Sequence, residues 1–275
     1  MKDLTQRTVS GIVYVFFMLA GVAIHPMVFL VVFGTFLFLT QLEFYKLVET
    51  AGAKPRKTMG ISLGIVCFIV CFGMVNNLLP AKSHLIFIPA LTLIFLVEAF
   101  SHKSGILQTS ALTFTGFVYV AIPFSLLNFI LHPGYPVHPV FESKTIMGVF
   151  FIVWIFDSIA YLAGSKFGKH KIHPKISPKK SWEGFFAGTV FALIMGFVNA
   201  WIFKTPSLVN WLIIAALTAV FGTLGDLFES VIKRRLKVKD SGNFLPGHGG
   251  LLDRFDSLLF VIPVIYVWLS LSGNL

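Results

Sequence analysis

The sequence predicts an all-α polytopic membrane protein with about nine transmembrane helices and a cytoplasmic N-terminus. Of its 275 residues, 56% are hydrophobic and only 12% are charged, whereas a soluble domain carries roughly 25% charged residues. The mean hydropathy of +0.84 agrees with that imbalance. A soluble chain of this composition could not cover its own surface with polar groups, so the bilayer must be the solvent for much of it.

Nine apolar segments approach or reach the length of about 20 residues that a helix needs to cross a bilayer. They are residues 8–24, 27–45, 60–79, 85–100, 106–131, 145–165, 184–203, 208–230 and 252–273. The first is interpreted as a retained membrane helix that is short or re-entrant, and the fourth is also short. The eighth contains Gly222, Gly225, Asp226 and Glu229, so its end does not face lipid.

The distribution of basic residues predicts the orientation of the chain in the membrane. With the N-terminus inside, 19 of the 22 Lys and Arg residues fall in cytoplasmic segments and 3 fall in outer loops, which is the positive-inside pattern. Two long polar loops, residues 166–183 and 231–251, are both cytoplasmic, which predicts one active face. The chain has no linker or repeat, so we predict a single integral membrane domain, residues 1–275, with its catalytic region at about 157–256.

Acidic residues near the last two spans suit phosphate chemistry. The stretch from Gly225 onwards contains Asp226, Glu229, Asp253 and Asp256. Carboxylates in a membrane segment are costly and usually functional. Asp253 and Asp256 are three residues apart, so on a helix they share a face and offer oxygen ligands to a hard cation such as Mg²⁺.

A basic run and a glycine-rich turn lie between these acids. The basic run is Lys233, Arg234, Arg235, Lys237 and Lys239, which taken alone would most simply be a cytoplasmic anchor. The turn is Pro246-Gly247-His248-Gly249-Gly250, whose glycines let backbone N–H groups approach an anion. A helix that begins near Leu251 would add its positive dipole end. Metal, backbone donors and cations together are what nucleotide phosphate chemistry requires.

This stretch resembles the signature of the phosphatidate cytidylyltransferase (CDP-diacylglycerol synthase) family. The family pattern reads Ser, two residues, Lys-Arg, four residues, Lys-Asp, a short spacer, Pro or Gly, His-Gly-Gly, two residues, Asp-Arg, one residue and Asp. The sequence fills it with Ser230, Lys233-Arg234, Lys239-Asp240, Pro246, His248-Gly249-Gly250, Asp253-Arg254 and Asp256, without a departure. The resemblance covers the C-terminal third closely and the whole chain loosely.

A second stretch is similar to the same family. Residues 164–184 contain a Ser-Pro-basic-Lys-Ser element at 177–181, just before the next span, and Asp157 lies inside the span that precedes them. A helix entrance of this kind binds anions well. His170 and His173 have no acidic or cysteine partner at ligand spacing, so they are interpreted as loop histidines.

The resemblance implies a nucleotidyl transfer in phospholipid biosynthesis, in which CTP and phosphatidic acid give CDP-diacylglycerol and pyrophosphate. It implies Mg²⁺ as the cofactor, held by Asp226, Asp253 and Asp256. The catalytic residues that hold phosphates or order the loop are Lys233, Arg234, Lys239, Asp240 and Arg254. The substrate-binding residues are Lys179, Lys180, Ser181, Ser230, His248, Gly249 and Gly250.

The implied partners are CTP, phosphatidic acid and membrane lipid, without nucleic acid, and a homodimer is compatible with the sequence. The expected location is the bacterial inner (cytoplasmic) membrane, with the active site facing the cytoplasm. Two rival functions remain open. A CDP-alcohol phosphotransferase would carry a D-G-x-x-A-R…D motif within one helix, and a transporter of an anionic solute would often show paired broken helices in internal repeats; neither feature is found in the sequence.

Overall fold

The computed structural model describes residues 2–100, 106–242, 244 and 249–275. Over these residues the regular secondary structure is helical apart from one short hairpin. Its elements are α1 (Lys2–Ala23), α2 (Pro26–Glu49), α3 (Lys57–Val75), α4 (Phe87–Ala99), α5 (Ile106–Gly116), α6 (Ile122–Ile130), α7 (Lys144–Phe167), β1 (Lys171–His173), β2 (Ser177–Ser181), α8 (Trp182–Phe203), α9 (Leu208–Arg235) and α10 (Leu252–Leu271). A 3₁₀ turn (Ala81–Ile86) precedes α4, and a π-helical turn (Phe117–Ala121) joins α5 to α6.

All nine predicted apolar segments are helical, which confirms an all-α polytopic membrane protein. Among the described residues, seven helices are long and apolar enough to cross a membrane. The other two apolar helices, Thr8–Ala23 and Ala81–Val97, are shorter, and they are the two segments that the sequence already marked as short. The part of the chain that the structure describes therefore contains nine apolar helical segments, of which seven have the length of a full crossing.

The chain forms two compact units. The first comprises Met1–Phe141 and Leu236–Phe255, and the second comprises Glu142–Arg235 and Asp256–Leu275. Helix α10 therefore begins in the first unit and continues in the second.

Aromatic packing in the first unit fixes the start of α10. Phe255 is 2% exposed, and its ring centroid lies 4.9 Å from that of Phe124 and 5.5 Å from that of Phe36. The Tyr14 ring meets Phe255 edge-on at 6.0 Å. Such tilted and edge-on pairs add to the free energy gained by burying the rings, so the first turn of α10 is held against α1, α2 and α6.

Helix α2 also carries a buried polar row in the first unit. The Gln41 amide donates to the carbonyl oxygens of Gly60 and Gly116, both at 3.3 Å. The Tyr45 hydroxyl donates to the Thr113 carbonyl at 2.8 Å. A buried polar group is tolerated when it is hydrogen-bonded, so these bonds join α2 to α3 and α5.

Small residues bring the helices of the second unit close together. A Cβ on Gly184 would lie 2.5 Å from the Ala160 carbonyl oxygen, and one on Gly188 would lie 2.9 Å from the Phe156 ring. Helix α8 carries a stripe of small residues at every fourth position: Gly184, Gly188, Ala192 and Gly196. Gly184 and Gly188 pack on α7, whereas a Cβ on Gly196 would lie 2.9 Å from the Trp211 carbonyl oxygen of α9. Close backbone approach of this kind is typical of membrane helix pairs, which gain little from a hydrophobic effect between them.

The predicted polar loop between α7 and α8 contains an antiparallel hairpin. Lys171 in β1 lies opposite Ser181 in β2, and His173 lies opposite Ser177. Ser181 then caps α8, because its Oγ accepts the Gly184 N–H at 3.2 Å. The hairpin therefore delivers the basic residues of β2 directly to the start of a membrane helix.

Candidate active site

Three carboxylates and one lysine of the second unit form what we term the carboxylate cluster: Asp157, Lys180, Asp226 and Asp256. The Lys180 Nζ lies 2.5 Å from Asp226 Oδ2. Asp256 is close enough to Asp226 and Asp157 to be repelled by their charges, and to Lys180 to be attracted. Four different elements supply the cluster, namely α7, β2, α9 and α10.

The cluster is partly buried and partly open. The Asp226 side chain is 35% exposed and that of Lys180 is 23% exposed. The Ser230 hydroxyl donates to Asp226 Oδ1 at 3.2 Å, one turn further along α9. The Ser257 N–H donates to Asp256 Oδ1 at 2.6 Å. These bonds orient the two carboxylates, and the Asp226 side chain remains partly exposed to a polar ligand.

The cluster fits a hard divalent cation. Like charges gathered in a membrane protein repel one another, and a cation between them removes that repulsion. Among the described residues, no three His, Cys, Asp or Glu side chains form a ready-made metal cage. In proteins, one or two carboxylates usually hold Mg²⁺ together with waters and substrate phosphates. Asp226 and Asp256 are the residues that could supply those carboxylates.

Lys233 and Arg234 have protein partners. Lys233 forms an ion pair with Glu229, one turn earlier on α9, and the Glu229 side chain is only 1% exposed. The Arg234 Nε donates to the Ile176 carbonyl at 3.3 Å, at the turn of the hairpin. A buried ion pair is sensitive to the loss of either partner, so Lys233 is fixed in place, whereas the Arg234 guanidinium remains largely exposed.

The other predicted phosphate-binding residues differ in their exposure. Lys179, Lys239, Asp240 and Arg254 are exposed, whereas Ser181 is 3% exposed. Ser181 and Ser230 make the local hydrogen bonds given above, and their binding of substrate stays a prediction. Asp157 and Glu229 lie in or beside this constellation, although neither was assigned a role from the sequence.

The glycine turn of the first unit is held by Asp253, in the first turn of α10. Its carboxylate accepts the Gly250 N–H at 2.8 Å and the Ser241 N–H at 3.1 Å. Gly249 has a φ of +81°, a backbone conformation that L side chains rarely adopt. The predicted site residue His248, with Pro246 and Gly247, lies outside the described residues.

Sequence reasoning missed Glu43, which also holds this turn. It is the single acid in the apolar segment 27–45, and its side chain accepts the Leu252 N–H at 2.8 Å. The partner lies 209 residues away in the sequence. A lone acid in an otherwise apolar span was therefore the only available signal.

A groove of about 820 Å³ lies between the hairpin and α8. Lys169 and Lys171 line one part, and the stacked rings of Trp182 and Phe186 line another. Next to them, His170 Nδ1 lies 2.7 Å from Glu183 Oε1, so His170 has an acidic partner that its sequence spacing did not reveal. Lysines beside exposed aromatic rings suit the headgroup region of a bilayer.

Comparison with known proteins gives one family over almost the whole chain. A family model described as "Cytidylyltransferase family" matches residues 5–272. The chain is 50% identical over 121 residues to the phosphatidate cytidylyltransferase of Bacillus subtilis, covering 44% of this chain and 45% of the relative. It is 40% identical over 171 residues to that of Staphylococcus saprophyticus (60% and 65% covered) and 35% identical over 209 residues to that of Thermotoga maritima (74% of both). The matches thus span about half to three quarters of these curated relatives.

Proposed function

Because the chain belongs to the cytidylyltransferase family, we propose that it transfers the cytidylyl group of CTP to phosphatidic acid. A phosphate oxygen of the lipid attacks the α-phosphorus of CTP, the bond from that phosphorus to the β-phosphate oxygen breaks, and pyrophosphate leaves. The product is CDP-diacylglycerol, a precursor in phospholipid biosynthesis. The name that the three relatives share supplies the lipid substrate.

The observation that carries the proposal is the carboxylate cluster with Lys180 beside it. Two anions must meet in this reaction, and the nucleophile arrives already ionised, so a strong general base is hardly needed. Catalysis must instead position the two phosphates and offset their charge. A cluster that presents both an ammonium group and cation-binding carboxylates, 2.5 Å apart at the closest contact, is suited to that task.

We assign Asp226 and Asp256 to Mg²⁺, and Asp253 stays a predicted third ligand. The ion, when bound, supplies positive charge at the phosphate oxygens. Lys233, Arg234, Lys239 and Arg254 hold phosphates, and Asp240 orders the loop. Lys179 and Lys180 meet the triphosphate or the lipid headgroup. Ser181, Ser230, His248, Gly249 and Gly250 complete the substrate-binding set.

Incubation of the purified protein with labelled CTP and phosphatidic acid tests the function directly. We expect Mg²⁺-dependent formation of CDP-diacylglycerol and release of one pyrophosphate per lipid, with neither product when phosphatidic acid is omitted. A CDP-alcohol phosphotransferase would instead consume a CDP-lipid, and a transporter would release no pyrophosphate. Absence of labelled CDP-lipid from folded protein in the presence of both substrates would refute the proposal.

The proposed location is the bacterial inner membrane, with the active site towards the cytoplasm, where CTP is available. The loop between α7 and α8, which contains the hairpin, carries much of the positive charge that predicts this orientation: Lys169, Lys171, Lys175, Lys179 and Lys180. The homodimer stays a prediction. Measuring the molecular mass of the purified protein in detergent would test it.

We expect a cysteine at Lys175 in the hairpin, or at Arg235 at the end of α9, to be labelled by an impermeant maleimide only from the cytoplasmic side. Both positions are exposed, whereas the natural cysteines Cys67 and Cys71 are buried, which keeps background labelling low. A cysteine at Lys204, in a predicted outer loop, is the matched control and should be labelled from outside. Labelling of Lys175→Cys in intact cells would overturn the orientation.

A further inference from the structure

We propose that Glu43 is a positioning residue for the reaction, holding the Gly249–Gly250 turn and the start of α10 in the geometry that phosphate binding needs. The expected effect of Glu43 on turnover rests on the proposed function, whereas its effect on the structure of the turn does not. Nothing in the signature stretch points to this residue, because it lies in α2, near the other end of the chain.

Glu43 is buried and binds the start of α10 through its side chain. Its side chain is 8% exposed, and its Oε2 accepts the N–H of Leu252, which is itself fully buried. The first N–H groups of a helix have no partner within the helix, and a carboxylate at that end is also favoured by the helix dipole. Glu43 supplies both interactions from a distant part of the chain.

The loop is shaped around the Glu43 carboxylate. A Cβ on Gly242 would lie 2.6 Å from Glu43 Oε1, and a Cβ on Gly250 would lie 2.6 Å from Glu43 Oε2. The two glycines thus allow the backbone to pass against the carboxylate on either side. Side chains at these positions would push Glu43 away from Leu252.

Glu43 and Asp253 hold the same segment in complementary ways. Asp253 closes the loop locally, because it bonds Ser241 and Gly250 within its own segment. Glu43 ties that closed loop to α2. Asp253 alone would preserve the shape of the turn but would not fix its place in the first unit. Arg254, which follows Asp253 directly, depends on that placement for its reach towards phosphate.

A carboxylate is a costly choice for this place if its purpose is only to stabilise the fold. Burying a charge costs more than burying an amide, and it is tolerated where several N–H groups converge on it. Glutamine has nearly the same shape and keeps one acceptor oxygen, but its NH₂ group cannot accept a hydrogen bond. Glu43→Gln therefore preserves packing while it loosens the turn, which separates positioning from stability.

The experiment compares Glu43→Gln with Tyr45→Phe, which removes the hydroxyl that bonds Thr113 from an equally buried side chain of the same helix. We expect similar thermal stability for the two variants. Glu43→Gln should lower kcat at least tenfold with the KM for CTP changed less than threefold, whereas Tyr45→Phe should keep kcat within twofold. Glu43→Ala should lower kcat further.

Hydrogen exchange of the amides in residues 249–252 supplies a readout that does not depend on activity. We expect these amides to exchange at least tenfold faster in Glu43→Gln than in the unmodified protein and in Tyr45→Phe. Unchanged exchange, or a loss of thermal stability with normal kcat in the folded protein, would overturn the inference. If the unmodified protein made no CDP-lipid, the proposed function would fail while the exchange result still decided the role of Glu43.

Discussion

Replacing Asp226 or Asp256 with asparagine is expected to lower kcat by a factor of about 100 or more while the protein stays folded and membrane-inserted. Asparagine keeps the shape of each side chain but removes the charge that a hard cation prefers. Removal of one group that stabilises charge in a transition state typically costs about 100- to 1000-fold in kcat. The measurement is kcat as a function of Mg²⁺ concentration in mixed micelles, where both variants should also need more Mg²⁺ for half-saturation.

The matched control for these variants is Glu142→Gln. Glu142 also lies in the second unit and pairs with a lysine, Lys144, at 3.3 Å, but it is outside the carboxylate cluster, so kcat should stay within twofold. Near-normal turnover and an unchanged Mg²⁺ requirement in Asp226→Asn and Asp256→Asn would show that the metal assignment is wrong.

Asp253→Asn belongs to the same series and separates two roles. If Asp253 is a metal ligand, Asp253→Asn should lower kcat and raise the half-saturating Mg²⁺ concentration, as expected for Asp256→Asn. Its oxygens also accept the N–H groups of Ser241 and Gly250. A lower kcat with an unchanged Mg²⁺ requirement would therefore remove Asp253 from the metal site and leave it the role of closing the glycine turn.

The helices could be predicted well because their signals are local. Each apolar segment carries its own composition, and the predicted start of the last helix near Leu251 agrees with α10 beginning at Leu252. The two segments that fall short of a full crossing were short in the sequence as well. The hairpin was missed because three- and five-residue strands rich in lysine have no apolar alternation to reveal them.

The contacts within the candidate site could be predicted only in part. Ser230 and Asp226 are one turn apart on α9, so their contact follows from spacing along one helix, although it was not among the predictions. No spacing rule connects Lys180 with Asp226 or Glu43 with Leu252, because those pairs depend on how separate helices pack. The sequence therefore identified residue types suited to phosphate chemistry, whereas the pairs themselves required the tertiary structure.

Replacing Lys180 with methionine is expected to lower kcat at saturating CTP and lipid by a factor of about 100 or more. The ammonium group lies 2.5 Å from Asp226 and attracts Asp256. It is therefore held where phosphate charge must be offset. Methionine fills a similar space without the charge. Lys180→Arg keeps the charge but replaces a compact ammonium with a planar fork, so we expect about a tenfold loss, because a transition-state contact depends on geometry as well as charge.

A lysine that served only as a counter-ion for the carboxylates would behave differently. Its removal would strengthen the pull of Asp226 and Asp256 on Mg²⁺, so the half-saturating Mg²⁺ concentration would fall while kcat was kept. Lys175→Met is the matched control, because Lys175 is an exposed lysine of the same hairpin and has no assigned role in the site. Both variants are measured for kcat, the KM of CTP and the Mg²⁺ requirement. The counter-ion role alone would apply to Lys180 if two results were found together. The kcat of Lys180→Met would lie within twofold of that of Lys175→Met, and its Mg²⁺ requirement would be lower.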